Sequence, residues 1–145
     1  MKNYVIPVAG IKQKRLHCGP CCIEMVLKYY GFKNVDQVTI GKDINVKIKR
    51  GCYPHDVIRY LKRYNITAEK RKTLGTLMYL EHKRPIIIGT YDHFMLLVGV
   101  IDTKYIVLDP ATGRKQKYDY RFFKEEVKDY IIIKEIKNGK QKRNN

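Results

Sequence analysis

The sequence contains no tryptophan, and no part of it approaches the roughly 18 consecutive apolar residues that a membrane-spanning helix requires. The first seven residues, MKNYVIP, are too few and too polar to form the apolar core of a secretory signal. We therefore expect no transmembrane segment and a cytoplasmic location.

Acidic side chains are scarce as well. The 145 residues include 14 Asp and Glu against 30 Lys and Arg, which gives a net charge of +16. The last twelve residues hold five basic and one acidic side chain, so most of the excess belongs to the rest of the chain. A positive field of this kind attracts acidic peptides, nucleic acid or an anionic membrane surface. Solvated lysine-rich faces are the alternative, and the twelve tyrosines form no recognisable nucleic-acid motif.

The four cysteines do not have the spacing of an extracellular disulfide framework. Cys18, Cys21 and Cys22 crowd into one turn and Cys52 lies far from them, so reduced thiols are expected. Cys18-x2-Cys21 and Cys52-x2-His55 together form a Cys3His set that zinc could occupy. Both pairs fall at expected helix starts, however, whereas zinc knuckles usually present the first pair on a turn. Without a metal, His55 is expected at the surface.

Length and composition indicate one small domain. A chain of 145 residues with 44% hydrophobic side chains can bury a modest single core. We expect this domain to cover residues 1–137 and the basic tail 138–145 to be disordered. Besides the two segments described below, helices are expected at 35–43, 54–64, 74–81 and 122–127, and strands at 4–9, 66–70, 85–90, 116–118 and 130–136.

One segment places a thiol at the start of a helix. Apolar residues recur at helical spacing after Pro20, which suits a first helical turn, and Gly31 supplies a stop. A thiolate at Cys18 would lie at the positive end of the helix dipole, which stabilises the nucleophilic form of the side chain. The backbone N–H groups at this end could also hold an oxyanion.

The neighbours of this thiol are expected to be structural. Cys21 and Cys22 are expected to be buried as small apolar side chains of the core. Glu24 and Lys28 form an i,i+4 pair that is expected to be solvated. His17 is expected at the surface.

A second segment supplies a base and a group to orient it. Residues 93–101 and 105–113 read as two strands of a hairpin joined at 102–104. Antiparallel pairing places His93, at the start of the first strand, beside Asp109, near the end of the second. An imidazole that is hydrogen-bonded to a carboxylate keeps one orientation and stays protonated beside a thiolate, as in cysteine–histidine hydrolases.

These motifs, in this order, resemble the bacteriocin-processing cysteine peptidase family, whose domains cleave double-glycine leader peptides and usually precede peptide-exporting ABC transporters. The resemblance covers roughly residues 8–130 and rests on Gln13, Cys18-Gly19-Pro20, Tyr29-Tyr30-Gly31, Gly51, Pro85, His93-Phe94, Asp109-Pro110-Ala111 and Gly113. It implies an α+β, papain-like fold in which N-terminal helices, with the nucleophile at a helix N-terminus, pack on an antiparallel β-sheet.

The resemblance also implies residue roles. Cys18 matches the family nucleophile, His93 the base and Asp109 the orienting carboxylate. Gln13 matches the glutamine that donates to the oxyanion, although it precedes Cys18 by five residues and the family glutamine usually by six. In an extended segment this difference would turn the side chain to the opposite face, whereas a turn would absorb it.

The sequence therefore predicts a cysteine peptidase that hydrolyses a peptide or isopeptide bond through a Cys-His-Asp triad and an acyl-enzyme. No cofactor is required, and the partner is a peptide or protein substrate that the basic charge would suit if it were acidic. One alternative is an inactive relative that binds peptides or nucleic acid without cutting them. The zinc-binding protein outlined above is the other.

Overall fold

The computed structural model describes residues 3–73, 75, 80 and 82–137. The helix expected at 74–81 lies almost entirely outside these residues, and the tail 138–145 lies wholly outside them. Within the described ranges, no helix has the length and apolar character needed to cross a membrane.

Five helices are described, and their boundaries follow from local chemistry. Pro54 occupies the first turn of its helix, where a missing N–H costs no intrahelical bond. The Asp36 carboxylate caps another helix by accepting the backbone N–H of Thr39 at 2.9 Å. The bounds are α1 Cys18–Tyr29, α2 Gln37–Ile44, α3 Val46–Lys49, α4 Pro54–Lys62 and α5 Tyr120–Glu126.

The bounds of the strands are β1 Tyr4–Val5, β2 Ile66–Arg71, β3 Ile86–Gly89, β4 Phe94–Ile101, β5 Lys104–Asp109, β6 Arg114–Tyr118 and β7 Asp129–Ile136. They form one antiparallel sheet in the order β2-β7-β3-β4-β5-β6, and β1 pairs with β4. The inner strands β7, β3, β4 and β5 are rich in isoleucine, leucine and valine, and the β-branched side chains among these favour extended backbone.

The core lies between the helices and the middle of this sheet. Helix α1 packs against β4, and α4 packs against β2 and β7. Residues 94–100 of β4 are buried without the alternation of a half-exposed strand, which indicates that both faces of the sheet are covered there. On β5, the ring of Tyr105 contacts that of Phe123 in α5, with centroids 4.6 Å apart. Helix α1, which begins with Cys18, is therefore fixed against the central strand.

The expected α+β architecture is confirmed, with some differences in its elements. The strand expected at 4–9 contains only Tyr4–Val5, since the chain after Val5 is irregular. Helix α3 was not expected, because its four residues, VKIK, carry no helical pattern of apolar side chains. The remaining expected helices and strands outside 74–81 are present, with ends displaced by a few residues.

Candidate active site

The hairpin of β4 and β5 brings His93 and Asp109 together at one edge of the sheet. Leu96 pairs with Leu108 in the antiparallel register, so the residue before β4 and the last residue of β5 are close neighbours. The His93 Nε2 donates to Asp109 Oδ1 over 2.7 Å. The predicted pairing of these two side chains is confirmed.

The turn after β5 fixes the Asp109 carboxylate from its other side. The backbone N–H of Ala111 donates to the same Oδ1 at 2.9 Å, and the N–H of Gly113 donates to the Asp109 carbonyl at 2.7 Å. Gly113 has φ +72°, a left-handed conformation that glycine adopts without a steric penalty. This turn therefore holds the carboxylate in place for His93.

Cys18 is the first residue of α1 and is half-buried. His17 occupies the N-cap position, and its side chain makes no capping bond to the part of the chain that the structure describes. No acidic side chain lies in the first turn of the helix. The positive end of the helix dipole therefore acts on the Cys18 thiol without an acidic competitor in that turn.

The environment of His93 favours its charged form. Its pKa is raised from 6.5 to about 9, and the largest cause is a hydrogen bond with the side chain of Cys18. Burial lowers the pKa, while the hydrogen bond and the charge of Asp109 raise it further. Because Nε2 bonds Asp109, Nδ1 is the ring nitrogen left for the thiol. His93 therefore lies between the Asp109 carboxylate, which it bonds, and the side chain of Cys18, which raises its pKa.

The other three thiols differ from Cys18 in their surroundings. Burial raises the pKa of Cys21 to about 12 and raises the pKa of Cys22 and of Cys52 well above the ordinary range. Cys21 and Cys22 lie in the core, as predicted. All four cysteines are free in the structure.

A cleft of about 390 Å³ opens beside Cys18 and His93. Its walls include Cys18, His93, Cys52 and Phe94. Cys52 packs so closely on Gly19 that a Cβ on that glycine would lie 2.7 Å from the Cys52 sulfur. Residue 19 therefore has to be small, and Cys52 forms a wall of the cleft beside Cys18.

Gln13 lies between the start of α1 and the turn after β5. Its backbone N–H donates to the Pro110 carbonyl at 2.7 Å. From Lys14 to His17 the chain makes a turn, in which the N–H of His17 donates to the Lys14 carbonyl at 2.9 Å and Leu16 is left-handed with φ 67°. This turn separates Gln13 from Cys18, so the alternation of an extended strand does not decide which way the Gln13 side chain points.

Sequence reasoning missed two residues of this region. Gln37 is 6% exposed and bonds the backbone of Lys12 and Lys14, the neighbours of Gln13. Glu24, expected in solvent, is 5% exposed, because the start of α2 covers it and its carboxylate accepts the N–H of Gln37 at 2.8 Å. No local pattern marks either residue, since each acts on chain that is distant in sequence.

The expectation for His17 was also wrong. It is 7% exposed, and its Nδ1 lies 2.6 Å from the Arg15 carbonyl. Its ring packs against Gly41 of α2, where a Cβ would come within 2.4 Å of Nε2. His17 is buried because α2 packs across the start of α1.

The structure does not support the zinc alternative. In the part of the chain that it describes, no three His, Cys, Asp or Glu side chains come together in a way that could hold a metal ion. His55 is exposed, as expected, and it stacks on Tyr53 with ring centroids 5.7 Å apart.

The sequence is similar to that of known proteins. Residues 10–139 match the peptidase C39 family. The probable microcin-H47 secretion/processing ATP-binding protein of Escherichia coli is 30% identical over 105 residues, which are 68% of this chain and 14% of that protein. The chain therefore spans about one seventh of the length of this relative.

Two solved structures share the fold. One is a double glycine motif protease from an AMS/PCAT transporter in complex with the leader peptide, with TM-score 0.72, 22% identity, and 92% of this chain and 98% of that chain covered. The other is the peptidase domain of Streptococcus ComA, a bi-functional ABC transporter, with TM-score 0.72, 17% identity, and 87% and 97% covered.

The family match extends over most of the chain and includes the thiol, the imidazole and the carboxylate that the fold brings together. The chain belongs to the peptidase C39 family and is a cysteine peptidase.

Proposed function

We propose that this peptidase cleaves its substrate through a triad of Cys18, His93 and Asp109 and a covalent acyl-enzyme. The observation that carries the proposal is the position of His93, which bonds Asp109 at 2.7 Å through Nε2 and has its pKa raised chiefly by Cys18. This arrangement holds a proton beside the thiolate, where a departing amine needs it.

In the acylation step, the Cys18 thiolate attacks the carbonyl carbon of the scissile bond. The C–N bond breaks, and the imidazolium of His93 gives its proton to the leaving amine. In the second step, His93 takes a proton from water, and the resulting hydroxide attacks the thioester. The acid product leaves and the thiolate is regenerated.

The oxyanion that forms in each step needs donors. The backbone N–H of Cys18, at the uncapped start of α1, is one, and the Gln13 carboxamide is the other. The carboxamide has few competing bonds: Nε2 makes only a long contact of 3.4 Å with the Lys14 carbonyl, and Oε1 has no hydrogen-bond partner among the described residues. The side chain of Gln13 can therefore turn toward a substrate.

The substrate we propose is a leader peptide that ends in two glycines. The relatives support this, since one is a double glycine motif protease in complex with a leader peptide and another is a secretion/processing protein for a microcin. The net charge of +16 favours an acidic sequence upstream of the cleavage site.

The test is the intact mass of the protein after incubation with a peptide acyloxymethyl ketone that ends in Gly-Gly. We expect a single adduct, on Cys18, and none in Cys18→Ala. Cys52→Ala is the matched control, since it removes a thiol from the wall of the same cleft, and it should be labelled like the unmodified protein. An adduct that persists in Cys18→Ala would refute the proposed nucleophile.

A further inference from the structure

Gln37 is a buried polar residue that bonds the chain on both sides of Gln13. Its Oε1 accepts the backbone N–H of Lys14 at 2.8 Å, and its Nε2 donates to the Lys12 carbonyl at 3.0 Å. The Gln37 carboxamide therefore bonds the irregular backbone on both sides of Gln13 and takes the place of a backbone partner.

The opposite side of the segment rests on the turn after β5. The N–H of Gln13 donates to the Pro110 carbonyl at 2.7 Å. Gly113 lies so close that a Cβ there would be 3.0 Å from the backbone nitrogen of Lys12. Gln13 is therefore held between the Gln37 side chain and the turn that also holds Asp109.

Gln37 is in turn fixed to the nucleophile helix. Its backbone N–H donates to Glu24 Oε1 at 2.8 Å, and Glu24 Oε2 lies 2.7 Å from the Lys28 ammonium. A buried carboxylate is unfavourable unless it is paired and hydrogen-bonded, and these two contacts meet that need. The Glu24 carboxylate also lies at the N-terminus of α2, where it interacts favourably with the helix dipole.

We infer that Gln37 is a positioning residue that sets the place of Gln13 relative to Cys18. It touches neither the substrate nor the reacting atoms, and it acts through the backbone of residues 12–14. The bonds run from Glu24, on the helix that begins with Cys18, through Gln37 to the segment of Gln13. This inference rests on the proposed oxyanion role of Gln13.

The first experiment compares two reactions of the same thiol. Gln37→Leu removes both side-chain bonds and keeps a similar volume, and Gln37→Glu keeps the acceptor for Lys14 but loses the donor to Lys12. Single-turnover hydrolysis of a p-nitrophenyl ester should fall roughly 10- to 100-fold in Gln37→Leu and less in Gln37→Glu, because loss of one oxyanion donor costs about 10²- to 10³-fold. Alkylation of Cys18 by iodoacetamide, which forms no oxyanion, should stay within about twofold.

Gln116→Leu is the matched control. Gln116 lies in β6 and accepts the Tyr118 hydroxyl at 2.6 Å, so its loss should leave both rates unchanged. If Gln37→Leu does not fold, as judged by circular dichroism, Gln37→Glu carries the comparison. Equal loss of ester hydrolysis and alkylation would indicate general damage to the fold and would overturn the inference.

The second experiment is a double-mutant cycle with Gln13→Ala. If Gln37 acts through Gln13, the double variant should hydrolyse the ester no more slowly than Gln13→Ala alone, whereas independent effects would multiply. Multiplied losses, or a slow Gln13→Ala with an unaffected Gln37→Leu, would overturn this inference alone. An unaffected Gln13→Ala would refute the oxyanion role of Gln13, and this inference with it.

Discussion

The hairpin that carries His93 and Asp109 and the segment that carries Gln13 are held in place by different kinds of hydrogen bond. In the hairpin, the regular ladder between β4 and β5 sets the distance between the two side chains. The segment around Gln13 is irregular, and it is held by a side chain, Gln37, that comes from another helix.

This difference shows which features of the sequence determine the positions of the hairpin residues and of the segment around Gln13. A β-ladder transmits position through backbone bonds that almost any sequence can make, so chain direction alone places His93 beside Asp109. A segment without a backbone partner depends on specific buried polar groups, here Gln37 and Glu24. We therefore expect substitutions of His93 or Asp109 to change the rate of the reaction directly. Substitutions of Gln37 or Glu24 should change it by moving the segment around Gln13.

The largest expected effect would test the hairpin half. Asp109→Asn keeps the shape of the side chain but removes the charge that orients His93. Single-turnover ester hydrolysis should fall by about 10- to 10⁴-fold, the upper limit being the loss in the serine triad on the same change. Asp102→Asn is the control, because Asp102 lies in the turn at the other end of the hairpin.

Circular dichroism of each variant should show an unchanged fold. If Asp109→Asn keeps full activity while Asp92→Asn or Asp102→Asn loses it, His93 is oriented by a different carboxylate. The pairing of β4 with β5 would then not supply the group that orients His93.

The same contrast explains how much could be predicted from the sequence. Pro20, Gly31 and the apolar spacing between them are local signals, and they predicted α1. The hairpin followed from two apolar strands joined by one turn. Gln37 and Glu24 were missed, because a buried polar residue with a distant backbone partner looks like a solvated one in the sequence.

The same limit applies to His17 and Cys52. His17 was expected at the surface, but α2 packs over it. Cys52 is far from Cys18 in the sequence, but it packs on Gly19 and forms a wall of the cleft. Both positions depend on how the helices pack together, and no local pattern records that packing.

The next effect compares Cys18, at the start of α1, with the three thiols whose pKa burial raises. At pH 6.5 and limiting iodoacetamide, Cys18 should be alkylated at least about tenfold faster than the others, since only the thiolate reacts. Cys52 is the informative comparison, because it shares the cleft while burial raises its pKa. Peptide mapping by mass spectrometry measures each site, and equal labelling of Cys18 and Cys52 would contradict the assignment of the nucleophile.

A smaller effect separates the two partners of His93. Because a hydrogen bond with Cys18 is the largest cause of the raised pKa of about 9, Cys18→Ala should lower this pKa more than Asp109→Asn does. Titration of the His93 ring protons by NMR measures both changes, with Cys52→Ala as the unaffected control. A larger decrease in Asp109→Asn would reverse the order of the two partners.

The raised pKa of His93 also predicts how stability depends on pH. The folded-state pKa of about 9 exceeds the unfolded value of 6.5, so folding favours the charged ring. This contribution to the free energy of unfolding is fully present below about pH 6.5 and is lost as the pH rises through about 9. Urea unfolding of the unmodified protein should show a larger decrease between pH 6.5 and 9 than that of Cys18→Ala, and equal decreases would contradict the cause assigned to the shift.

The smallest expected effect concerns the charged side chains near the segment of Gln13 and near the β4–β5 hairpin. Lys12, Lys14 and Arg15 are exposed on the irregular segment, whereas Asp92 lies at the site end of the hairpin. An acidic peptide should therefore approach from the segment's side. Raising salt from about 50 to 300 mM should lower kcat/KM for an acidic peptide severalfold, because the Debye length is only about 10 Å at 0.1 M, and should leave a neutral ester unaffected.

Arg15→Gln and Lys104→Gln localise this effect. Both remove one exposed positive charge, but Lys104 lies at the far end of the hairpin from the triad. At low salt Arg15→Gln should lower kcat/KM for the acidic peptide by about twofold and Lys104→Gln by less, since a charge acts mainly within a Debye length. Equal decreases would mean that net charge, and not the segment, attracts the peptide.

If the positive charge instead serves to bind nucleic acid, the affinity for nucleic acid should show a steep log–log dependence on salt that persists in Cys18→Ala.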